Sequence, residues 1–235
     1  MKVNMGFKFR ILPTKEQEVM FAKTFGCVRF VYNKMLAERI ENYNRYKDEP
    51  SVLKKIKEPT PAKYKAEFPF LKEVDSLALA NAQMNLRSAY NSFFSGQNDF
   101  PKFRSKHDKR KQSYTTNMVN GNIKIEGDKI RLPKVGWVKI KFHRQIPEGH
   151  NIKSCTIRKR PSGKYEISIL TEFEHLTSTP SLDTNKSVGL DYSSTDFYID
   201  SEGKKANYPR YYRESEEKLA RLQRSLSRKK KGSKN

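Results

Sequence analysis

Phe7-Lys-Phe-Arg-Ile-Leu-Pro-Thr14 is the stretch from which the rest of the chain is read. Phe7, Phe9 and Ile11 alternate with Lys8 and Arg10, the two-residue period of a strand. Pro13-Thr14 ends that strand, and Thr14 with Gln17 makes a capping box, so a helix is expected from about Lys15. Beyond Thr14 the pattern is helical. Gly26 is read as an interruption. Val28, Val31 and Met35, with Tyr32, Leu36, Ile40 and Tyr43, then recur at three-to-four spacing as a helix with a broad apolar face. Asp48 to Pro61 is a charged linker broken by Pro50, Pro59 and Pro61. Asp75-Ser76 opens a third helix with the stripe Leu79, Ala82, Leu86, Ala89 and Phe93, ended by Gly96.

From Phe100 the period becomes strand-like. Asn122–Ile125 and Ile130–Leu132 flank a Gly127-Asp128 turn as a hairpin. Trp137–Phe142 alternates, and Cys155, Ile157 and Lys159 lead through Pro161-Ser-Gly163 into Tyr165, Ile167, Ile169 and Thr171. Short strands at this spacing suggest a small barrel. The lone first strand is expected to join it, which makes the helices an insertion. The fold class is therefore α+β, with a β-barrel over residues 1–13 plus 100–180, a helical block over 14–99, and a further unit over 187–235. The Ser- and Thr-rich run from Thr177 to Lys186 is a polar linker. In the last unit Leu219, Leu222 and Leu226 form a narrow helical stripe.

The 48 basic residues against 26 acidic ones give a formal charge of +22. That excess repels itself in the free protein, and polyphosphate relieves it best. A solvated Lys-rich surface is the alternative, but such surfaces usually balance Lys with Glu. Apolar runs fall short of the roughly 20 residues of a membrane span, and Met1 opens no cleavable signal pattern, so a cytoplasmic protein with no membrane partner is expected. Cys27 and Cys155 read as small buried hydrophobes.

Lys102, Phe103, Arg104 and Lys106, with Tyr114, interleave cations and rings that can neutralise phosphates and stack on bases. Thr115, Thr116 and Asn117 add short polar groups able to reach base edges. The segment reads otherwise as an exposed basic loop. Lys139, Lys141, Arg144 and Arg158 fall on alternating strand positions, so a basic barrel face against a nucleic-acid backbone competes with an ordinary solvent face. Asn81 and Gln83 carry amides of the kind that read adenine, but surface amides are common. Asp191 ends the strand Ser187-Val-Gly-Leu-Asp191, the place where metal-dependent nucleases hold a ligating carboxylate. It reads equally as a turn-former. Asp196 begins the return strand and Asp200 opens the Asp-Ser-Glu-Gly203 turn, so both are weaker candidates than Asp191. Arg210 to Lys234 is a basic helix and tail that binds phosphate or is simply solvated.

Thr24-Phe-Gly-Cys-Val-Arg-Phe-Val-Tyr-Asn33, Phe100-Pro-Lys-Phe-Arg-Ser105 with Gln112-Ser-Tyr114, Gly189-Leu-Asp191 and the Leu226–Asn235 ending together resemble TnpB, also called OrfB. These are transposon-encoded proteins related to type V CRISPR effectors. The resemblance runs through the whole chain in order. It implies an RNA-guided DNA endonuclease holding a guide RNA transcribed from the transposon's end and a target double-stranded DNA. It further implies a wedge β-barrel interrupted by a helical recognition domain with a helix-turn-helix region, then the first part of an RNase H-like RuvC domain. Mg²⁺ would serve an Asp, Glu, Asp set whose first member is Asp191, as both catalytic and metal-binding residue. The neighbourhoods of Asn81 and of Thr116-Asn117 would read the motif beside the target.

The departures are as informative. No segment corresponds to the family's catalytic Glu or second Asp, and its Cys-x-x-Cys zinc pairs are absent, so no zinc is expected in this chain and Mg²⁺ only where the full site is assembled. As an enzyme, the chain would need a missing C-terminal nuclease part or a second copy, and alone it is expected not to cleave. As a binding module, it would be a nuclease-dead nucleic-acid-binding protein. A helix-turn-helix DNA-binding repressor is a third reading of its first hundred residues.

Overall fold

A computed structural model describes residues 1–108, 112–174, 187–206 and 210–229. The chain divides into two compact units, Met1–Thr177 and Ser178–Asn235. The linker expected over Thr177–Lys186 lies outside the described residues, as do Lys109–Lys111 and the end of the basic tail from Lys230.

The first unit opens with β1 (Lys2–Leu12), followed by α1 (Lys15–Tyr46), α2 (Pro50–Leu53), α3 (Pro61–Glu67), a 3₁₀ turn (Pro69–Lys72) and α4 (Ser76–Phe94). Six strands complete it: β2 (Ser113–Asn117), β3 (Lys124–Glu126), β4 (Lys129–Leu132), β5 (Gly136–Lys141), β6 (Asn151–Lys159) and β7 (Tyr165–Glu174). They form one antiparallel sheet in the order β2-β6-β7-β1-β5-β4-β3. The first strand does join the later β block, and at its centre: Lys2 to Ile11 pair with β7, and Arg10 to Leu12 pair with β5. The expected barrel is an open, curled sheet, with β2 and β3 as its edges among the described residues.

Phe7, Phe9 and Ile11 of β1 are buried on one face, with Val138, Ile140, Ile157, Ile167 and Ile169 of neighbouring strands. Helix α1 covers that face through Phe21, whose ring lies 5.5 Å from Tyr165 and 6.3 Å from Tyr114, and through Phe25, 5.7 Å from Tyr114. Each such side chain contributes about 1.5–3 kcal/mol on burial. The capping box forms as expected: Gln17 N donates to Thr14 Oγ1 at 3.3 Å, and Thr14 N donates to Gln17 Oε1 at 3.1 Å. Gln17 Nε2 also donates to the Trp137 carbonyl at 2.7 Å, fixing the helix start to β5.

Three readings change. Gly26 does not interrupt α1, which runs through it for 32 residues. Phe25, Cys27 and Val28 are buried around it, and that packing outweighs the roughly 1 kcal/mol helical penalty of one glycine. The Pro-rich linker carries α2 and α3, with Pro50 and Pro61 each in a first turn, where a missing N–H costs nothing. Ser113–Asn117 is an edge strand rather than a loop. Both cysteines are buried, as expected, and burial pushes the Cys155 thiol up to about 12.

The second unit holds the hairpin of β8 (Leu190–Ser193) and β9 (Phe197–Asp200), then α5 (Tyr211–Ser227). Among its described residues, Leu190, Tyr192, Leu222 and Leu226 are exposed. Among the described residues no helix is long and apolar enough to cross a membrane.

Candidate nucleic-acid interface

Cross-strand partners in an antiparallel pair share a face, so the register says which cations lie together. Lys139 is opposite Lys129 and Leu12, Lys141 is opposite Arg10, Arg10 is opposite Glu166, and Glu166 is opposite Arg158. The sheet face away from the helices thus carries Lys139, Lys141 and Arg158, all exposed, together with Lys8, Arg10, Lys129 and Arg131. Glu166 interrupts them, held by Lys8 at 3.1 Å and by Arg160 at 2.6 Å. Asp128 takes Lys139 at 3.4 Å. Sequence reasoning missed Lys8 and Arg10, although the alternation that revealed β1 also puts them opposite its apolar face. Arg144 is not part of this surface. It follows β5, its guanidinium lies 4.8 Å from the centroid of the Phe7 ring, and Nη2 donates to the Gly6 carbonyl.

A groove of about 490 Å³ where α1, α4 and the segment after α4 meet the β2 edge of the sheet gathers Asn81, Lys102, Phe103, Arg104, Thr115 and Arg158. Its shape depends on Asn33 of α1, whose Oδ1 accepts from Arg104 N at 2.8 Å while Nδ2 donates to Arg104 O at 3.0 Å. The Arg104 guanidinium lies 3.9 Å from the centre of the Tyr32 ring. Burial lowers the Arg104 pKa from its ordinary value, but arginine starts far above neutrality and stays charged. The Tyr32-Asn33 and Phe103-Arg104 pairs, distant in sequence, are therefore one structural unit. Phe103, Lys102 and Lys106 are exposed beside it, Lys102 with Asp99 at 3.2 Å.

Other predicted contacts fare differently. Tyr114 is 4% exposed and Thr116 0%, because β2 turns both toward the core, and neither presents a surface to a nucleic acid. Asn117 lies on the partly exposed side, opposite Ser154, and its carbonyl accepts from Asn122 Nδ2. Asn81 lines the groove but is only 9% exposed, and one of its two amide hydrogens goes to the Leu77 carbonyl at 2.9 Å, so it presents little of the edge that bidentate adenine reading requires. Gln83 donates to the Pro59 carbonyl and holds the linker.

Asp191 is exposed on β8 opposite Ile199. Asp196 pairs with Lys205 at 3.4 Å. Asp200 Oδ1 accepts from the backbone N–H of Glu202 and of Lys204, as a turn-former does. Among the described residues no three His, Cys, Asp or Glu side chains converge on a point.

A family profile described as "Helix-turn-helix domain" matches residues 1–48, and one described as "Probable transposase" matches residues 168–235. Residues 1–48 hold one strand and one continuous helix, not two helices about a turn. A Streptomyces pristinaespiralis protein named "Putative RNA-guided DNA endonuclease" is 32% identical over 238 residues, covering 100% of this chain and 57% of its own length. An Escherichia coli K12 protein named "Putative RNA-guided DNA endonuclease InsQ" is 34% identical over 239 residues, covering 100% of this chain and 56% of its own length. The chain thus spans little more than half of each. Salmonella dublin "Virulence protein VsdF" is 35% identical over 111 residues, 43% of this chain and 93% of that protein.

Proposed function

Because the chain belongs to the TnpB/OrfB family of transposon-encoded proteins, we propose that it holds a guide RNA and a target double-stranded DNA in an RNA-guided DNA endonuclease. The observation that carries this reading is the outer sheet face, where Lys8, Arg10, Lys129, Arg131, Lys139, Lys141 and Arg158 lie in register on four strands, β1, β4, β5 and β6. Such a face neutralises a phosphate backbone without reading bases, while base pairing with the guide supplies sequence choice. In this reading Asp191 is one ligand of a Mg²⁺ site completed by carboxylates other than those described. The binding residues act by position: the sheet fixes the spacing of the cations, and the Asn33 clasp fixes Arg104 at the groove.

The test is an RNA-binding titration of the full 235-residue chain at several salt concentrations, with DNA and Mg²⁺ added in a parallel arm. Each phosphate neutralised on a single strand contributes a slope of about −0.7 to log K against log salt. Replacing Lys8, Arg10, Lys139 and Lys141 together by Gln is expected to flatten the slope by about 2–3. Weak binding that ignores salt would overturn the reading. No cutting is expected from these residues alone, and cutting abolished by Asp191→Ala would show that a complete site assembles.

A further inference from the structure

A second cavity, of about 610 Å³, opens between the C-terminal half of α1, the connection carrying α2, and the end of α4. Ile40, Leu53 and Ile56 form one side, and Phe93, Phe94 and Phe100 another. The ring of Phe100 stands edge-on to Tyr90 at 5.7 Å and 88°, and to Phe93 at 5.3 Å and 84°. Phe94 backs onto Tyr90 at 6.1 Å and 25°, yet is 76% exposed. Tyr43, also on the lining, is 58% exposed. Two large rings therefore face an apolar cleft that is already formed. It is held open by Arg39, whose guanidinium lies 4.1 Å from the centre of the Tyr90 ring and bonds Glu58 at 3.0 Å.

The rim is polar. Asn42 and Asn44 bring amides, each a donor and an acceptor, and Lys57 brings a cation, with Lys54 and Lys55 exposed on the same connection. An occupant suited to all of this is planar and aromatic, has hydrogen-bonding edges, and is tethered to negative charge. A chain of +22 favours that charge throughout. We propose that the cavity receives an unstacked base of a single-stranded nucleic acid, whose phosphates pass Lys54, Lys55 and Lys57. An apolar protein segment would use the floor but neither the amides nor the lysines. The site rests on the reading that this chain holds nucleic acid, and it adds where an unpaired stretch is gripped.

Stacking of a base on an aromatic side chain is worth about 1–3 kcal/mol by alanine substitution, and an uncharged ring releases no counterions, so its loss leaves the salt slope in place. The experiment uses the full chain and a single-stranded RNA carrying 2-aminopurine, whose fluorescence falls on stacking, beside a duplex of the same sequence. Phe94→Ala and Tyr43→Ala are expected to weaken single-strand binding about 5- to 100-fold, lose the quenching, keep the salt slope and leave duplex binding within about twofold. Phe94→Trp, which keeps a ring, should retain affinity and quenching, and both side chains are exposed enough that thermal stability should not move. Wild-type-like binding by both alanine variants would overturn the cavity assignment and leave the proposed function standing. Equal weakening for single strand and duplex would also overturn it. Salt-insensitive binding by the unaltered protein would remove both.

Discussion

Both ends of the Asn33 amide close on the backbone of Arg104, at 2.8 and 3.0 Å. This is what lets a side chain in the middle of a helix fix a loop it precedes by 71 positions. Thr116 shows the opposite economy. Its side chain is wholly buried on β2, and its Oγ1 has no hydrogen-bond partner among the described residues. A buried hydroxyl without a partner costs about 1–3 kcal/mol relative to an apolar group of the same shape. Thr116→Val keeps the shape and removes the hydroxyl. It is expected to raise stability by about 1 kcal/mol, read as a higher urea midpoint with an unchanged slope, while RNA affinity stays within about twofold. A tenfold loss of affinity would mean that Thr116 reaches nucleic acid after all.

Helix α1 carries the next expectation. A Cβ built on Gly26 would meet nothing within 4 Å, and Gly26 is not among the glycines at positive φ. Neither close approach nor backbone geometry requires glycine there, so Gly26→Ala should stabilise the protein by about 0.5–1 kcal/mol through a more restricted unfolded chain and better helix propensity. Thermal unfolding would show it, and a lower midpoint would point to a role for the glycine that the packing does not reveal. The same helix shows what could be read beforehand. The capping box at Thr14 and Gln17 is local chemistry, and it appeared where expected. The glycine was misread because its tolerance depends on Phe25, Cys27 and Val28 finding a core, which is a tertiary matter. Strand β2 was missed for a similar reason: Ser113-Tyr-Thr-Thr-Asn117 has one apolar side chain, and its strand character comes from pairing with β6. The groove was half legible. Lys102, Phe103 and Arg104 stood out as a basic aromatic run, but nothing in the spacing shows that Asn33 and Arg158 would meet them.

At the scale of the molecule, a chain of +22 depends on its few well-placed carboxylates, and acid should expose that dependence. Burial works against the ionised form of Glu38, but hydrogen bonds from Lys63 and Tyr64 outweigh it and leave its pKa below the ordinary carboxylate value. Glu166 is shifted the same way, with burial opposed by Arg160 and Lys8. Glu172 is lowered chiefly by the hydrogen bond from Lys153, with Lys2 helping. All three are depressed in the folded state, so the unfolded chain takes up their protons at higher pH. Their contribution is therefore present above the unfolded carboxylate pKa of about 4.3 and is lost as pH falls through the lower folded values. Protonation also removes negative charge from a molecule already in positive excess, which adds repulsion in the compact state. The urea midpoint should be level from about pH 7 to about pH 5.5 and fall steeply by about pH 3. Glu166 joins β7 to Lys8 of β1 and to Arg160, so Glu166→Gln should lower the midpoint at neutral pH and flatten the acid limb. A variant curve parallel to that of the unaltered protein across the whole range would show that this cross-sheet cluster contributes nothing to the acid transition.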